Sequence, residues 1–275
     1  RAGAFLAAAS FMLGGFTIGY LFSGHVSHLN ALAWMPLLFL CAWKAQSGGS
    51  LTRWTALGGL ALGLQLLGGH PHIAYGSFGA VAAFALVFRL QGKSRLGGLG
   101  ISVIFLLGVL ALGLLISGIE LVPALEFSRL SDRAEIQDFA YATEDSLPPE
   151  KLITLAAPDF FGDMVHSRYW GRASFWETTV FVGVVAVLFV PMAFFGARAG
   201  TFALGAAVLG FGALALGRYT SLYGFLYGLV PFLDRFRNPA RFFSVSLLAL
   251  SVLGGLGMDN ALSARRGKMP RLLLS

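Results

Sequence analysis

Long apolar runs alternate with short polar turns along this chain, and the runs have the length of membrane helices. A run near 20 residues covers the ~30 Å hydrocarbon core at 1.5 Å per residue. In order, the pattern predicts spans over 2–22, 31–43, 54–69, 73–90, 97–119, 178–195, 200–217 and 243–262. The second is short and is expected either to start earlier, near His25, or to cross only partly. Period-two alternation in roughly ten-residue segments, which would mark a transmembrane barrel, is absent. The expected fold is all-α: one transmembrane domain over 1–275, a polytopic bundle of about eight spans.

One stretch interrupts the pattern. Eleven of the 13 acidic residues lie between Glu120 and Glu177, together with Arg129, Arg133, Lys151, Arg168 and Arg172. So polar a block is too costly to place in hydrocarbon. It is expected as a large water-facing loop, 120–177, between spans five and six.

Composition sharpens the membrane reading. Only 12% of residues are charged, about half the share usual in soluble domains, and 56% are apolar. Thirty-six glycines fit close helix packing in lipid. The net charge of +7 does not point to nucleic acid, because the bases are scattered between spans rather than gathered on one soluble face. The single Cys41 offers neither an internal disulfide nor a cysteine metal site. Residue 1 is Arg with a span directly behind it, and 270–275 reads as the start of another span. The chain is therefore expected to be an internal piece of a longer protein.

Charge also orients the spans. On one set of alternate loops lie Arg1, Lys44, Arg53, Arg89, Lys93, Arg95, Arg198, Arg265, Arg266, Lys268 and Arg271, against the single acid Asp259. Short loops rich in Lys and Arg stay in the cytoplasm. That rule puts 120–177 outside a bacterial plasma membrane, along with the 23–30 turn, the 70–72 turn and the 218–242 loop. All five histidines, His25, His28, His70, His72 and His166, then share the outer face.

Four stretches on that face can carry chemistry. Arg235, Arg237 and Arg241 surround Asn238 and Pro239, where Asn238 reads as an N-cap and Pro239 as the first helical position. Arg237 and Arg241 are expected on one helix face, and guanidinium groups at a helix start suit a phosphate. The alternative is that these arginines pair with acids of the polar stretch or reach headgroups. His70 and His72 flank Pro71; their spacing matches no compact zinc motif, so substrate contact or polar capping is expected and no metal site is assigned. Glu120 and Glu126 leave the fifth span and can serve as base or phosphate-site partners, or as a solvated helix end paired with Arg129 or Arg133. Residues 146–155 read as a short helix on the membrane surface. The aromatics around Asp159, Asp163 and Trp170 suit either sugar stacking or the interfacial belt. Gln65 and Asn260 read as helix-packing polar residues.

Taken in order, several motifs resemble the YfhO-like family of bacterial membrane proteins. They are Leu67-Gly68-Gly69-His70-Pro71-His72, Leu121-Val122-Pro123-Ala124-Leu125-Glu126 with Ser128 and Arg129, and Leu147-Pro148-Pro149 through Ala157-Pro158-Asp159-Phe160-Phe161-Gly162. Tyr169-Trp170-Gly171 with Glu177, and Arg237-Asn238-Pro239-Ala240-Arg241-Phe242, complete the set. The chain departs from the family at His72, where Gln is common. The resemblance implies a GT-C-type glycosyltransferase that takes a sugar from a polyprenyl-phosphate carrier to an extracytoplasmic acceptor. Arg235, Arg237, Arg241, His70, His72 and Arg129 would then contact substrate or phosphate, and a divalent metal is an option. The family's base is an acid in the first outer loop, expected upstream of residue 1, which leaves Glu120, Glu126 and Asp159 as weak candidates. The alternatives are a non-catalytic membrane scaffold and a transporter or flippase of a lipid-linked substrate.

Overall fold

A computed structural model describes residues 1–90, 95–130, 138–166, 168–195 and 199–265. These are helical, with no strand among the described residues. The helices are α1 (Ala2–Met12), α2 (Gly15–Phe22), α3 (Val26–Gln46), α4 (Leu51–Leu67), α5 (Pro71–Leu90), α6 (Arg95–Arg129) and α7 (Phe139–Ala142). They continue with α8 (Phe175–Thr178), α9 (Val184–Ala193), α10 (Ala199–Ala215), α11 (Ser221–Tyr227) and α12 (Phe243–Arg265). Five apolar stretches are long enough to cross a membrane: Ala2–Phe22, Val26–Gln46, Pro71–Phe88, Leu99–Ser128 and Pro239–Arg265. They mark the chain as a membrane protein.

The described residues pack as two compact units. One comprises Val26–Gln137; the other joins Arg1–His25 to Asp138–Ser275. The described part of the polar stretch is therefore shared, with 120–130 in the first and residues from 138 on in the second.

In the unit of α3 to α6, small residues let helices approach. Gly58, Gly59 and Gly63 of α4 lie against Val109, Leu112 and Ile116 of α6, and Gly113 of α6 lies against Leu62. With no apolar-versus-water contrast between lipid and helix, such close packing is what holds spans together. The Gln65 amide is used inside the core: its Nε2 donates to Ala31 O at 2.8 Å and to Ser77 Oγ at 2.9 Å. The second span begins at Val26, as its early-start reading requires. The fifth does not stop near 119. α6 runs on to Arg129 through Pro123, so Glu120 and Glu126 sit on a helix rather than in a loop.

In the other unit, α12 is the central element, with most of its residues through Gly257 buried. Gly255 meets Gly3 of α1, while Gly254 and Gly257 meet Ala186 and Phe189 of α9. A methyl group at any of these would overlap backbone atoms.

Two expected spans here differ from the sequence pattern, and for one shared reason. The first is broken between α1 and α2 at Leu13–Gly14. The sixth is helical only from Val184, because Val180 to Gly183 is non-helical and Gly183 takes φ 97. The two irregular segments satisfy each other: Gly15 N donates to Phe181 O at 2.7 Å. Thr154 Oγ1 accepts from Val180 N at 3.4 Å. Non-helical backbone at such a place is stable only when protein supplies its partners.

The two ends of this bundle are distinct. At one, α2 ends, α12 begins, and α10 ends at Ala215, whose carbonyl accepts from Leu147 N at 2.9 Å. At the other, adjacent residues of α12 cap two helices. Asp259 Oδ1 accepts from Gly3 N, at the start of α1, at 2.9 Å. Asn260 Nδ2 donates to Met192 O at 3.0 Å, at the end of α9.

Candidate functional site: a buried carboxylate and guanidinium node

The first of those ends is built around Glu177. It lies on the single turn α8, whose N-cap Ser174 is itself held by Asp145: the Ser174 backbone N–H and hydroxyl both donate to Asp145 Oδ1 at 3.1 Å. Glu177 is 4% exposed and accepts from three residues. The Tyr20 hydroxyl donates to Oε2 at 2.5 Å, Asn238 Nδ2 to Oε1 at 3.2 Å, and Arg241 Nε to Oε2 at 3.0 Å. Arg241 Nη2 adds a second, parallel bond to Oε1. Phe16 stacks edge-on against Tyr20 with centroids 4.6 Å apart, which fixes the phenol.

Burial alone would raise the Glu177 carboxyl, but the hydrogen bonds and charge of Arg241, with Tyr20 and Asn238, outweigh it and hold it below the usual range. The node is thus a charged pair in a buried place. Its bidentate geometry and extra donors are what offset the desolvation of both ions.

Asn238 departs from its expected role. It precedes the 3-10 turn Pro239–Phe242, not an α-helix, and sits in the left-handed region at φ 62 without a side-chain cap bond. Its amide is spent on Glu177. Pro239 does take the first position of the turn.

The three arginines do not converge. Arg241 is committed to Glu177. Arg237 Nη1 donates to Glu144 Oε2 at 3.0 Å and its guanidinium lies 5.7 Å from the Tyr141 ring centre. Those side chains are 41% and 54% exposed. Arg235 lies 3.5 Å from Asp234. The expectation that Arg237 and Arg241 share a helix face is corrected: Arg237 lies before the turn, and each guanidinium faces its own carboxylate. Arg218, unassigned from sequence, donates through Nε and Nη2 to Thr143 O at 3.0 and 2.7 Å, tying the end of α10 to the turn after α7.

A second buried cation lies nearby in sequence. Lys151, on the 3-10 segment Pro149–Leu155, is 2% exposed. Its Nζ donates to Tyr169 Oη at 2.6 Å and lies 4.4 Å from the Phe161 ring centre and 4.2 Å from that of Tyr169. Tyr169 Oη in turn donates to Ala173 O at 2.8 Å. Burial pulls the Lys151 ammonium down to about 8, against the opposing charge of Glu150. Sequence spacing gives no signal for this enclosure, since Tyr169 is 18 residues away.

The remaining candidates lie elsewhere. His70 and His72 belong to the Val26–Gln137 unit, where His72 is 4% exposed and the rings of His70 and His28 have centroids 3.5 Å apart. Glu120 and Glu126 are on α6 of that unit, with Glu120 beside Gly69. Arg129 closes α6, and its side chain lies outside the described residues, as does Arg133 altogether. Asp159 is exposed in the turn before Phe160. Among the described residues, no three His, Cys, Asp or Glu side chains are placed to share a metal ion.

Comparison with protein-family models, with curated proteins and with solved structures finds no match to this chain.

Proposed function

We propose that this chain is the membrane-embedded part of a glycosyltransferase that moves a sugar from a polyprenyl-phosphate donor to an acceptor outside a bacterial plasma membrane. The single observation that carries the reading is the state of Arg237. It stands just ahead of the long apolar stretch Pro239–Arg265, it is half-exposed, and the anion it faces is the more exposed Glu144. An exposed pair of this kind is worth about 0–1 kcal/mol. A lipid-borne phosphate offering charge-assisted bonds of about 1.5–3 kcal/mol can displace Glu144 from it. Arg235, 58% exposed, is available in the same way. Arg241 is not: its role is to hold Glu177 and so fix the backbone that carries Arg237. The order of family-like motifs and the charge bias of the loops support the same reading. No base is assigned among the residues present.

The test is transfer from a polyprenyl-phosphate sugar by the full-length protein in membranes. Arg237→Ala and Arg235→Ala should each lower transfer by about tenfold or more while insertion and melting stay near wild type. Transfer at the wild-type rate in both variants would remove the phosphate role.

One observation favours a second reading, a non-catalytic membrane scaffold: Arg235, Arg237 and Arg241 each already face a carboxylate. Under that reading the wild-type protein transfers no sugar from any polyprenyl-phosphate donor, and the arginine variants change only stability.

A further inference from the structure

Between α10 and α12 the chain makes an apolar excursion that neither the span pattern nor the arginine chemistry uses. From Tyr219 to Leu233 there is no charged residue. The stretch holds α11, seven residues long and so about 10 Å, far too short to cross a bilayer. It has two faces. Tyr223 is 1% exposed, and Phe139 packs on it and edge-on against Tyr227, with centroids 6.4 and 5.3 Å away. On the other side Leu222, Phe225, Leu229 and Phe232 are 38%, 70%, 65% and 68% exposed. Leu222 and Phe225 lie on α11, and Leu229 and Phe232 continue the exposed apolar surface in the turns that follow it. Phe232 joins it from the left-handed region, at φ 66, a costly conformation for an aromatic residue.

We infer that this stripe is an interfacial anchor, lying flat at the boundary between headgroups and acyl chains of the leaflet at this end of the bundle. Chain continuity names the occupant. The excursion starts directly at the end of α10 and returns directly into Pro239–Arg265, so both of its ends are pinned where apolar helices meet polar turns. Its edge carries the exposed Arg235 and the half-exposed Arg237, beside Asp234 and Glu144, and lipid phosphates can compete with these carboxylates for both guanidinium groups; the stripe itself holds no acid. A short amphipathic segment with an apolar face and arginines at its edge, lying at the interface, buries its side chains about 5–10 Å into the leaflet. The inference rests on the membrane reading alone and stands whether or not the protein transfers sugar.

The test is site-directed nitroxide labelling of the whole chain in liposomes containing anionic lipid, in a Cys41→Ala background. Phe225→Cys and Leu229→Cys are the reporting sites, with Leu222→Cys as a third should either fail to insert. Leu188→Cys, on the exposed apolar side of α9, and Asp163→Cys, in the polar stretch, are the lipid and water references. Collision with oxygen should exceed collision with a water-soluble nickel chelate at the stripe, giving ratios close to that of the Leu188 site. Ratios at the Asp163 level would show the stripe in water. Suppression of both collisions would show it covered by protein. Either result overturns the inference.

Discussion

The two ends of the α12 bundle solve the same problem with different chemistry. Where α1 starts and α9 ends, polar backbone groups are satisfied by one carboxylate and one amide placed side by side, Asp259 on a helix N-terminus and Asn260 on helix carbonyls. Each acts on a partial charge, and each is a local device. Where α2 ends and α12 begins, the structure instead buries two full charges, Glu177 and Arg241, and surrounds them with Tyr20 and Asn238. The first arrangement holds helix ends. The second fixes the chain immediately beside it, including the αL turn that presents Arg237. The buried, multiply hydrogen-bonded node thus lies next to Arg237, the residue on which the functional proposal rests.

That contrast can be broken directly. Glu177→Ala leaves Arg241 buried without its anion and should cost about 3–5 kcal/mol, read as a large fall in thermal stability in detergent. Glu177→Gln keeps the shape and loses the charge, so it should fall between wild type and Ala. Acid acts on the same node. Because the Glu177 carboxyl titrates below its unfolded value near 4.5, its contribution is complete above that pH and is lost as pH falls through the lower folded value.

A smaller effect of the same sense, at higher pH, is expected at Lys151. Its ammonium titrates at about 8 when folded and 10.5 when free. Between those values the unfolded chain binds more protons, so stability rises with pH across that window. Wild type should therefore gain in melting temperature relative to Lys151→Met as pH is raised from 7 to 10. A constant difference would mean that the ammonium stays charged in its aromatic enclosure.

At the opposite end, Asn260→Ala should cost about 1 kcal/mol, the usual worth of an intramolecular hydrogen bond, and should increase amide exchange at the α9 C-terminus. Asp259→Asn removes a negative charge from a helix N-terminus and should cost about 0.3–1 kcal/mol, less in high salt. The least effect on stability belongs to Arg237→Ala, at most about 1 kcal/mol for an exposed pair. If Arg237→Ala destabilises as much as Glu177→Ala, the distinction between a locked and a loose arginine is wrong.

How far the sequence leads depends on the distance over which the partners lie. Helicity, the early start of the second span at Val26, Pro239 at the head of its turn and the packing role of Gln65 all follow from local pattern. The break at Leu13–Gly14 does not, because its reason is Phe181, and an apolar run gives no sign that its backbone will be paired elsewhere. Asn238 has the composition of a cap, and only the buried Glu177, 61 positions away, diverts it. The arginines were legible as cations at a span start; which carboxylate each would face was not. α6 overran its expected end because Glu120 and Glu126 are good helix formers even where they stop being good membrane residues.

The way the units divide along the chain has a consequence for biogenesis. The described residues from Val26 to Leu130 follow one another along the chain and can complete their packing as soon as they leave the ribosome. The first helices cannot: Tyr20 waits 157 positions for Glu177, and Gly3 waits 256 for Asp259. At about 5–20 residues per second the N-terminal segment spends some ten seconds or more in the bilayer before its partners exist. Whatever escorts a half-finished helix pair during that interval meets α1 and α2 with their glycine-lined faces still open.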